Sequence, residues 1–372
     1  MHSDLLAAGR SADAAQPGAS PLASHALEGE TDAGGRSLRL AWYNIVEFSK
    51  AHIRRIAKRR EVSVVRLDPG LRKARHVLIA TVHNEAHRIG FFMRYYRDLG
   101  FEHFVIIDNR STDELRSLLA SERGVSLFAA DGVYRSARFG NDWVNGVLSK
   151  YCVGKWVLYV DADEFLVYPE CDTRPISDLT DHLERSGQPS LNGMMVDMYS
   201  DRPVSENACA SGCDPVTVCR LYDSVGYETR FDSLSRTTWI KGGVRGRLFF
   251  PDVWSGPALN KTPLARWRWH FAFVRSSHQL WPPRLNQPVP HANPRMTCAL
   301  MHFKFLADFK GKLDAEKTRQ QHSTEYAAYM APLCEHDEGP QFVGASTSRY
   351  EGWTSLLRDG LLAADSAFLR ER

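Results

Sequence analysis

The stretch that decides the fold is residues 156–165, which read WVLYVDADEF. Its first five residues are apolar, as in a strand that is buried on both faces of a parallel sheet. Two acids, Asp161 and Asp163, follow that strand at once. Ligands of open parallel sheets bind outside the carboxyl ends of the strands, so the stretch predicts both a buried strand and a functional edge.

Upstream of this strand, apolar runs alternate with helical patterns. Strands are predicted at 77–82, 104–107, 125–129 and 156–160, and helices at 85–99, 112–122 and 136–151. Four β–α units in succession predict an α/β fold with a mostly parallel, Rossmann-like sheet and helices on both faces.

The pattern is looser on either side of this region. Short strands are predicted at 194–198 and 247–250, and helices at 303–331 and 354–369. The expected units are a disordered tail (1–36), a basic amphipathic helical segment (37–75), an α/β domain (76–330, with halves 76–170 and 171–305) and a helical C-terminal extension (331–372). The tail is rich in Ala, Gly, Ser and Pro and has no hydrophobic period.

Composition excludes several classes of protein. The chain has 372 residues, 43% of them hydrophobic, and a formal charge of +3, which does not favour nucleic acid as a partner. No apolar run approaches the roughly 20 residues that a membrane span needs. The N-terminus has no secretory pattern, and the seven cysteines are expected to be reduced thiols. These features predict a cytoplasmic protein.

Residues 38–60 combine apolar residues at helical spacing with many basic side chains. Two interpretations stay open for this amphipathic helix. It packs on the domain with a solvated basic face, or it contacts an anionic acceptor or the inner face of a membrane as a peripheral element.

Polar side chains follow each predicted strand at the same edge of the sheet. They are His83, Asn84 and Glu85, then Asp108, Asn109, Ser111 and Asp113, then Asp131 and Arg138, and last Asp161, Asp163 and Glu164. Oxygen ligands suit Mg2+ or Mn2+, and such ions combine one or two carboxylates with phosphate oxygens. The alternative is a solvated turn, because Asp is common there.

Six short stretches together resemble the family 2 glycosyltransferases, and more closely a bacterial subgroup with a VDxDEF core. They are TVHNE (81–85), IDNRSTD (107–113), DADEF (161–165), GGVRGR (242–247), KTPL (261–264) and LMHFKF (300–305). The resemblance covers about residues 76–330. It implies a GT-A fold and metal-dependent transfer of a sugar, with inversion, from a nucleotide sugar to a hydroxyl group. A UDP-sugar donor is favoured, and the acceptor is a growing polysaccharide or other carbohydrate, a lipid-linked sugar or a protein.

The resemblance also implies roles for individual residues. Thr81, His83 and Glu85 would border the nucleotide, Asp108 would contact the base, and Arg138 would lie near the donor. Arg247 and Lys261 would balance the diphosphate charge. Asp163 would bind the metal, with Asp161 near the ribose or the ion, and His302 would complete the metal or diphosphate site. A buried structural histidine is the alternative for His302.

The acidic pair that family members often carry before an acceptor-side helix is not evident here. Asp197 is the first candidate for the catalytic base, because a carboxylate can accept the proton of the attacking hydroxyl. Asp223 and Asp232 are weaker candidates. On an extended backbone, Arg245 and Arg247 would point to one face.

Two further groups have alternative interpretations. His270 lines an acceptor groove or belongs to a packed strand. Cys209, Cys213 and Cys219 are loop or core thiols, or they bind zinc with a distant fourth ligand such as Cys298.

Three rival functions fit the sequence less well. A haloacid-dehalogenase-like phosphatase would place Asp-x-Asp on its first strand, and a sugar nucleotidyltransferase would place a Gly-rich loop there. A non-catalytic nucleotide-sugar or carbohydrate-binding protein has no need of two carboxylates on the sheet edge.

Overall fold

The computed structural model describes residues 33–286, 296–309, 311, 328–329 and 340–370. Its helices are α1 (Ala33–Lys58), α2 (Ala86–Asp98), α3 (Leu115–Ala120), α4 (Asn141–Tyr151), α5 (Ile176–Arg185), α6 (Gly243–Phe249), α7 (Trp353–Arg358) and α8 (Ser366–Arg370). Its strands are β1 (Val62–Arg66), β2 (His76–Val82), β3 (His103–Asp108), β4 (Val125–Ala130), β5 (Trp156–Tyr159), β6 (Glu164–Val167), β7 (Ser190–Asp197), β8 (Leu221–Asp223), β9 (Tyr227–Asp232), β10 (Thr237–Gly242), β11 (Asn260–Arg266), β12 (Ala272–Phe273), β13 (Leu280–Trp281), β14 (Cys298–His302) and β15 (Thr347–Arg349).

Nine of the strands form one sheet, in the order β1-β4-β3-β2-β5-β11-β7-β14-β6. The pairings place β2, β3, β4, β5, β7 and β14 in one direction and β1, β6 and β11 in the other. The predicted α/β class with a mostly parallel sheet is therefore confirmed.

Helices cover both faces of the sheet, as predicted. Alternate residues of β2 show this, because successive side chains of a strand point to opposite faces. Leu78 and Ala80 belong to one core with residues of α2 and α3, whereas Val77 and Ile79 belong to the other core with residues of α4. Both layers are completely buried at these positions.

The second half of the sheet is joined by contacts between distant parts of the chain. β14 lies parallel to β7 and antiparallel to β6, so His302 is opposite Asp197 on one side and Glu164 on the other. β7 also requires a glycine, because a Cβ atom on Gly193 would lie 1.9 Å from the carbonyl oxygen of Cys298. This register brings three ionisable side chains into one row.

Several predicted elements differ from the structure. Residues 247–250 are not a strand, because Gly243–Phe249 forms α6. The single helix predicted over 354–369 is two short helices, α7 and α8, with a left-handed residue between them at Gly360 (φ 72°). α4 begins only at Asn141, because Arg138, Phe139 and Gly140 have φ angles of 52°, 55° and 78°.

Other predictions fall partly outside the described residues. The helix over 303–331 and the first part of the C-terminal extension lie largely outside them, as do residues 1–32 of the predicted tail. Residues 33–36 are the start of α1, and the segment 37–75 contains β1, which pairs with β4 at the edge of the sheet. Among the described residues, no helix is both long and apolar enough to cross a membrane.

Candidate active site

A cleft of about 1270 Å³ lies at the carboxyl ends of β2, β3 and β5. Its wall includes eight of the predicted site residues: Thr81, His83, Glu85, Arg138, Asp161, Asp163, Lys261 and His302. These residues come from positions up to 221 apart in the chain, so the fold brings them together. Asp108, Asp197 and Arg247, which were also predicted, are not part of the wall.

Three carboxylates meet where β5 ends. Asp161 and Asp163 lie on the turn between β5 and β6, and Glu164 is the first residue of β6. Glu164 is buried and forms an ion pair with Lys261, at 2.7 Å between Oε1 and Nζ. Its other oxygen accepts a hydrogen bond from the backbone N–H of Asp161 at 3.2 Å. Lys261 therefore neutralises one of the three acids.

Burial and the neighbouring charges change the acidity of Asp161. Burial raises the pKa of Asp161 to about 7, and the nearby carboxylates of Glu164 and Asp163 act in the same direction. Lys261 and His302 oppose the shift but do not outweigh it. A cation that binds beside such a carboxyl group stabilises its ionised form and lowers its pKa.

His302 lies between two acids. Its Nδ1–H donates to Asp197 Oδ1 at 2.6 Å, and its Nε2 lies 3.5 Å from Asp163 Oδ2. Burial alone would lower the pKa of His302, but Asp163 and Asp197 together outweigh burial and raise it. The ring is therefore held in a fixed orientation with Nε2 directed at the turn that carries Asp163.

Asp197 is held in turn by Arg245. The guanidinium donates two hydrogen bonds of 2.7 Å, one to each oxygen of Asp197, and both side chains are buried. Burial would raise the pKa of Asp197, but Arg245 and His302 outweigh it and hold the pKa well below its ordinary value. An ionised carboxylate with both oxygens occupied is poorly suited to accept a proton. The geometry thus argues against Asp197 as the base and gives it a positioning role.

Arg88 is a site residue that the sequence interpretation missed. It lies in the first turn of α2, and its guanidinium is 3.7 Å from both Asp163 and Glu85 and 2.5 Å from Asp308. The guanidinium of Arg88 thus contacts three acids at the cleft wall and contributes to the position of Asp163. Arg88 belongs to the stretch HNEAHR (83–88), but its partner Asp308 lies 220 residues further along the chain. No local sequence pattern therefore indicates this contact.

The donor side of the cleft contains buried polar atoms that have no hydrogen-bond partner among the described residues. They are Thr81 Oγ1 and Asn141 Oδ1, and Asn141 is 1% exposed at the N-terminus of α4. Gly140 allows this close approach, because a Cβ atom there would lie 3.0 Å from Thr81 Oγ1. His83 Nδ1 is engaged, since it donates to the carbonyl of Asn109 at 2.8 Å.

Two predicted donor contacts, those of Asp108 and Arg138, differ in the structure. Asp108 is buried and accepts hydrogen bonds from Ser111 N (3.0 Å) and from Arg116, so it closes the loop after β3. Arg138 lines the cleft, but its Nε donates to Asp142 at 2.9 Å. Each side chain therefore fixes a loop at the cleft.

Arg247 and Arg245 do not share a face. They lie two positions apart on the helix α6 rather than on a strand, so they point in different directions. Arg245 reaches Asp197, whereas Arg247 donates to Asp223 at 3.0 Å and to the carbonyl of Phe342 at 2.6 Å. The expected diphosphate role of Arg247 has no support from its position.

The positions of His270 and of the cysteines favour structural roles. His270 packs against Phe271 and Trp281, with ring centroids 4.9 and 6.2 Å away, outside the cleft. Cys209 Sγ lies 3.7 Å from the carbonyl of Cys213, and Cys298 is buried in β14 next to Asn192. No group of three or more His, Cys, Asp or Glu side chains within the described part of the chain is arranged to hold a metal ion.

The donor set at the end of β5 nevertheless fits an ion that binds together with a phosphate ligand. Mg2+-type ions use one or two protein carboxylates and take their other oxygens from phosphate and water. Asp161 and Asp163 supply such oxygens beside a cleft, where burial and the neighbouring carboxylates raise the pKa of Asp161. The Nδ1–Asp197 bond of His302 is also the usual support of a metal-binding histidine.

No protein-family model matches the chain, and no curated protein sequence matches it. Among solved structures, similarity is found to a mannosyltransferase from Pyrobaculum calidifontis in complex with GDP-Man and Mn2+, with 17% identity over 44% of this chain and 47% of that chain and a TM-score of 0.24. Glucosyl-3-phosphoglycerate synthase from Mycobacterium tuberculosis, in complex with Mn2+, UDP and phosphoglyceric acid, is 14% identical over 37% of this chain and 48% of that chain, with a TM-score of 0.21.

HddC from Yersinia pseudotuberculosis is 9% identical over 64% of this chain and 96% of that chain, with a TM-score of 0.26. The chain thus spans less than half the length of the first two structures. At these identities and TM-scores the likenesses do not assign an activity, so function is argued from the site alone.

Proposed function

We propose that the chain is a metal-dependent glycosyltransferase that moves a sugar from a nucleotide-sugar donor to a hydroxyl acceptor. The observation that carries this proposal is the turn after β5, where Asp161 and Asp163 border a cleft of about 1270 Å³ at the carboxyl edge of the sheet. A cation balances the charge of a bound diphosphate, and this turn offers two carboxylates beside the cleft, while Lys261 is paired with Glu164.

Mn2+ or Mg2+ bound there would neutralise the charge that develops on the departing nucleoside diphosphate. The residues that would hold the ion are Asp163 and Asp161, with His302 Nε2 as a further ligand. Arg245 and Asp197 keep the imidazole in the orientation that this role requires. The arrangement therefore combines ion ligands with a buried, fully paired support.

The donor and the acceptor would occupy different ends of the cleft. The end next to β2 and α4 is lined by Thr81, Asn141 and His83. Thr81 Oγ1 and Asn141 Oδ1, which have no partner among the described residues, can form hydrogen bonds with a nucleoside there. Trp239 also lines the cleft, and the guanidinium of Arg275 lies 5.8 Å from the centre of its ring. An aromatic face of this kind suits the apolar face of a sugar ring.

The resemblance to family 2 directs the finer proposals. A UDP-sugar is the first donor to test, inversion at the anomeric carbon is the expected outcome, and a polysaccharide, lipid-linked or protein acceptor is expected. Glu85 is a carboxylate on the cleft wall and replaces Asp197 as the candidate for the base. No structural observation favours the phosphatase or the non-catalytic binding protein.

The test is the release of nucleoside diphosphate from a panel of UDP- and GDP-sugars by the full chain, with Mn2+, with Mg2+ and with a chelator. Turnover should require the ion and fall about 100-fold or more in Asp163→Asn. Asp98→Asn, which removes an exposed acid of α2, is the matched control and should keep full activity. Equal turnover in chelator, or in Asp163→Asn, would contradict the proposal.

A further inference from the structure

α1 carries a line of large apolar side chains that no other described residue covers. They are Leu38, Trp42, Ile45, Ile53 and Ile56, with 74%, 69%, 60%, 65% and 57% of their surfaces exposed. Their spacing of four, three, eight and three residues places them along one face of the helix. We call this face the α1 stripe. A row of large exposed apolar side chains on one helix face is typical of a binding surface.

The opposite face of α1 is firmly attached to the domain. Ala51 is 1% exposed in a small core with Ala272 and Val274, and the ring of Phe48 lies 4.8 Å from that of Trp281. Arg54 forms an ion pair with the buried carboxylate of Asp142 at 3.0 Å. The stripe therefore points away from the protein because the other face is already in use.

The surroundings of the stripe are positively charged. Residues 38–61 contain seven basic and two acidic residues, a difference of +5, although Arg54 is paired with Asp142 on the attached face. Arg59 and Arg60 are exposed at the C-terminal end of the helix. Trp269, 61% exposed, lies beside it, with its ring 6.5 Å from that of His52.

We propose that the α1 stripe docks the protein onto an anionic lipid surface. A helix with an apolar face and a basic rim lies in the plane of the headgroups, with its apolar side chains at the acyl boundary and its arginines near lipid phosphates. Trp42 and Trp269 are residues of the type that concentrates at this boundary. Neither side chain is needed for the proposed sugar transfer.

Charge favours lipid over a second copy of the chain. A two-fold contact through the stripe would place the same basic rim on both sides and bring like charges together. An anionic surface instead complements the +5 difference of residues 38–61. Residues 1–32, which lie outside the described part, carry five acidic residues and one arginine, so cover by this segment is a separate outcome of the test.

The experiment is co-sedimentation of the full chain with vesicles of phosphatidylcholine alone and of phosphatidylcholine mixed equally with phosphatidylglycerol. The double variant Trp42→Ser/Ile53→Ser removes two side chains of the stripe, and Arg59→Gln/Arg60→Gln removes two charges of the rim. Leu118→Ser/Val225→Ser is the matched control, because these side chains are 44% and 47% exposed and lie outside the stripe. Thermal unfolding checks that every variant is folded.

The full chain and the control should bind the anionic vesicles, and added salt should weaken binding. Each stripe or rim variant should need about tenfold more lipid for half-maximal binding. Absence of binding to anionic vesicles, or equal binding by the stripe variant, would overturn the proposal. Light scattering that shows a dimer lost in the stripe variant would assign the stripe to self-association, and vesicle binding seen only after removal of residues 2–32 would assign it to the chain's own tail. Because the readout is binding, its failure leaves the proposed transfer untouched.

Discussion

The two halves of the sheet differ in where their charged side chains lie. At the ends of β2 and β5, polar atoms such as Thr81 Oγ1 and the carboxylates of Asp161 and Asp163 border the cleft. Around β7 and β14, charges are buried in pairs, as in Asp197 with Arg245. The difference indicates that one half presents groups to a ligand while the other fixes their positions.

This division has a physical basis. A buried ion pair contributes little net stability, because the cost of removing two charges from water nearly cancels their attraction. Its value here is geometric, since Arg245 and Asp197 together hold the His302 ring against the turn that carries Asp163. The carboxyl group of Asp161, in contrast, is buried next to other acids, so its ionised form destabilises the free protein until a cation binds beside it.

The largest expected effect comes from breaking the buried ion pair of Asp197 and Arg245. Arg245→Ala would leave the carboxylate of Asp197 buried without its main partner, which costs about 3–5 kcal/mol of unfolding free energy. Urea unfolding at neutral pH measures the loss. Arg358→Ala removes an exposed partner of Asp359 and is the matched control, which should leave stability nearly unchanged. A loss below about 1 kcal/mol for Arg245→Ala would show that the pair does not organise the site.

The second effect is a gain in stability when the carboxyl group of Asp161, at the cleft, is removed. The pKa of Asp161 rises from 3.8 to about 7 on folding, so the folded state binds more protons than the unfolded state between these values. Stability should therefore fall as the pH rises through this window, and the full penalty is present above pH 7. Asp161→Asn removes it, so the metal-free variant should be about 1–3 kcal/mol more stable than the parent at pH 8.

The measurement is thermal or urea unfolding of both proteins in chelator at pH 4 and pH 8. The two proteins should have similar stability at pH 4, because there the folded-state carboxyl is protonated and the penalty on its ionised form is nearly absent. A variant that is less stable than the parent at pH 8 would mean that Asp161 is a structural acid and not an open ligand.

The smallest effect concerns the unpartnered amide oxygen on the donor side. Asn141→Ala removes an acceptor that no described residue uses, so it should weaken nucleotide binding about five- to tenfold while leaving the stability of the free protein nearly unchanged. Titration calorimetry with UDP measures the affinity. Unchanged affinity, or a variant that is strongly destabilised, would remove Asn141 from the donor site.

The parallel half of the fold could be predicted from sequence, because its signals are local. Apolar runs such as 77–82 alternate with helical spacing, and each polar strand end lies within a few residues of its strand. This pattern predicted the strands β2 to β5 and placed His83, Asp161 and Asp163 at one edge of the sheet. The structure places all three on the cleft wall.

The other half could not be predicted in the same way, because its contacts join distant positions. The Asp197–Arg245 pair spans 48 residues, and the pairing of β14 with β6 joins His302 to Glu164. An extended backbone was expected at 247–250, but the glycines that precede it, with φ angles of 115° and 59°, let the chain turn directly into α6. Arg247 was therefore misplaced, and Asp197 was assigned a base role that its two partners disfavour.

The central claim is that the turn after β5 binds a cation that in turn binds a nucleotide diphosphate. The most direct measurement is anomalous scattering from a crystal of the full chain soaked with UDP and Mn2+. We expect an ion peak within coordination distance of a carboxylate oxygen of Asp163 and of a UDP phosphate oxygen. UDP and Mn2+ bound elsewhere in the protein, or UDP in the cleft with the ion away from Asp161 and Asp163, would contradict the claim.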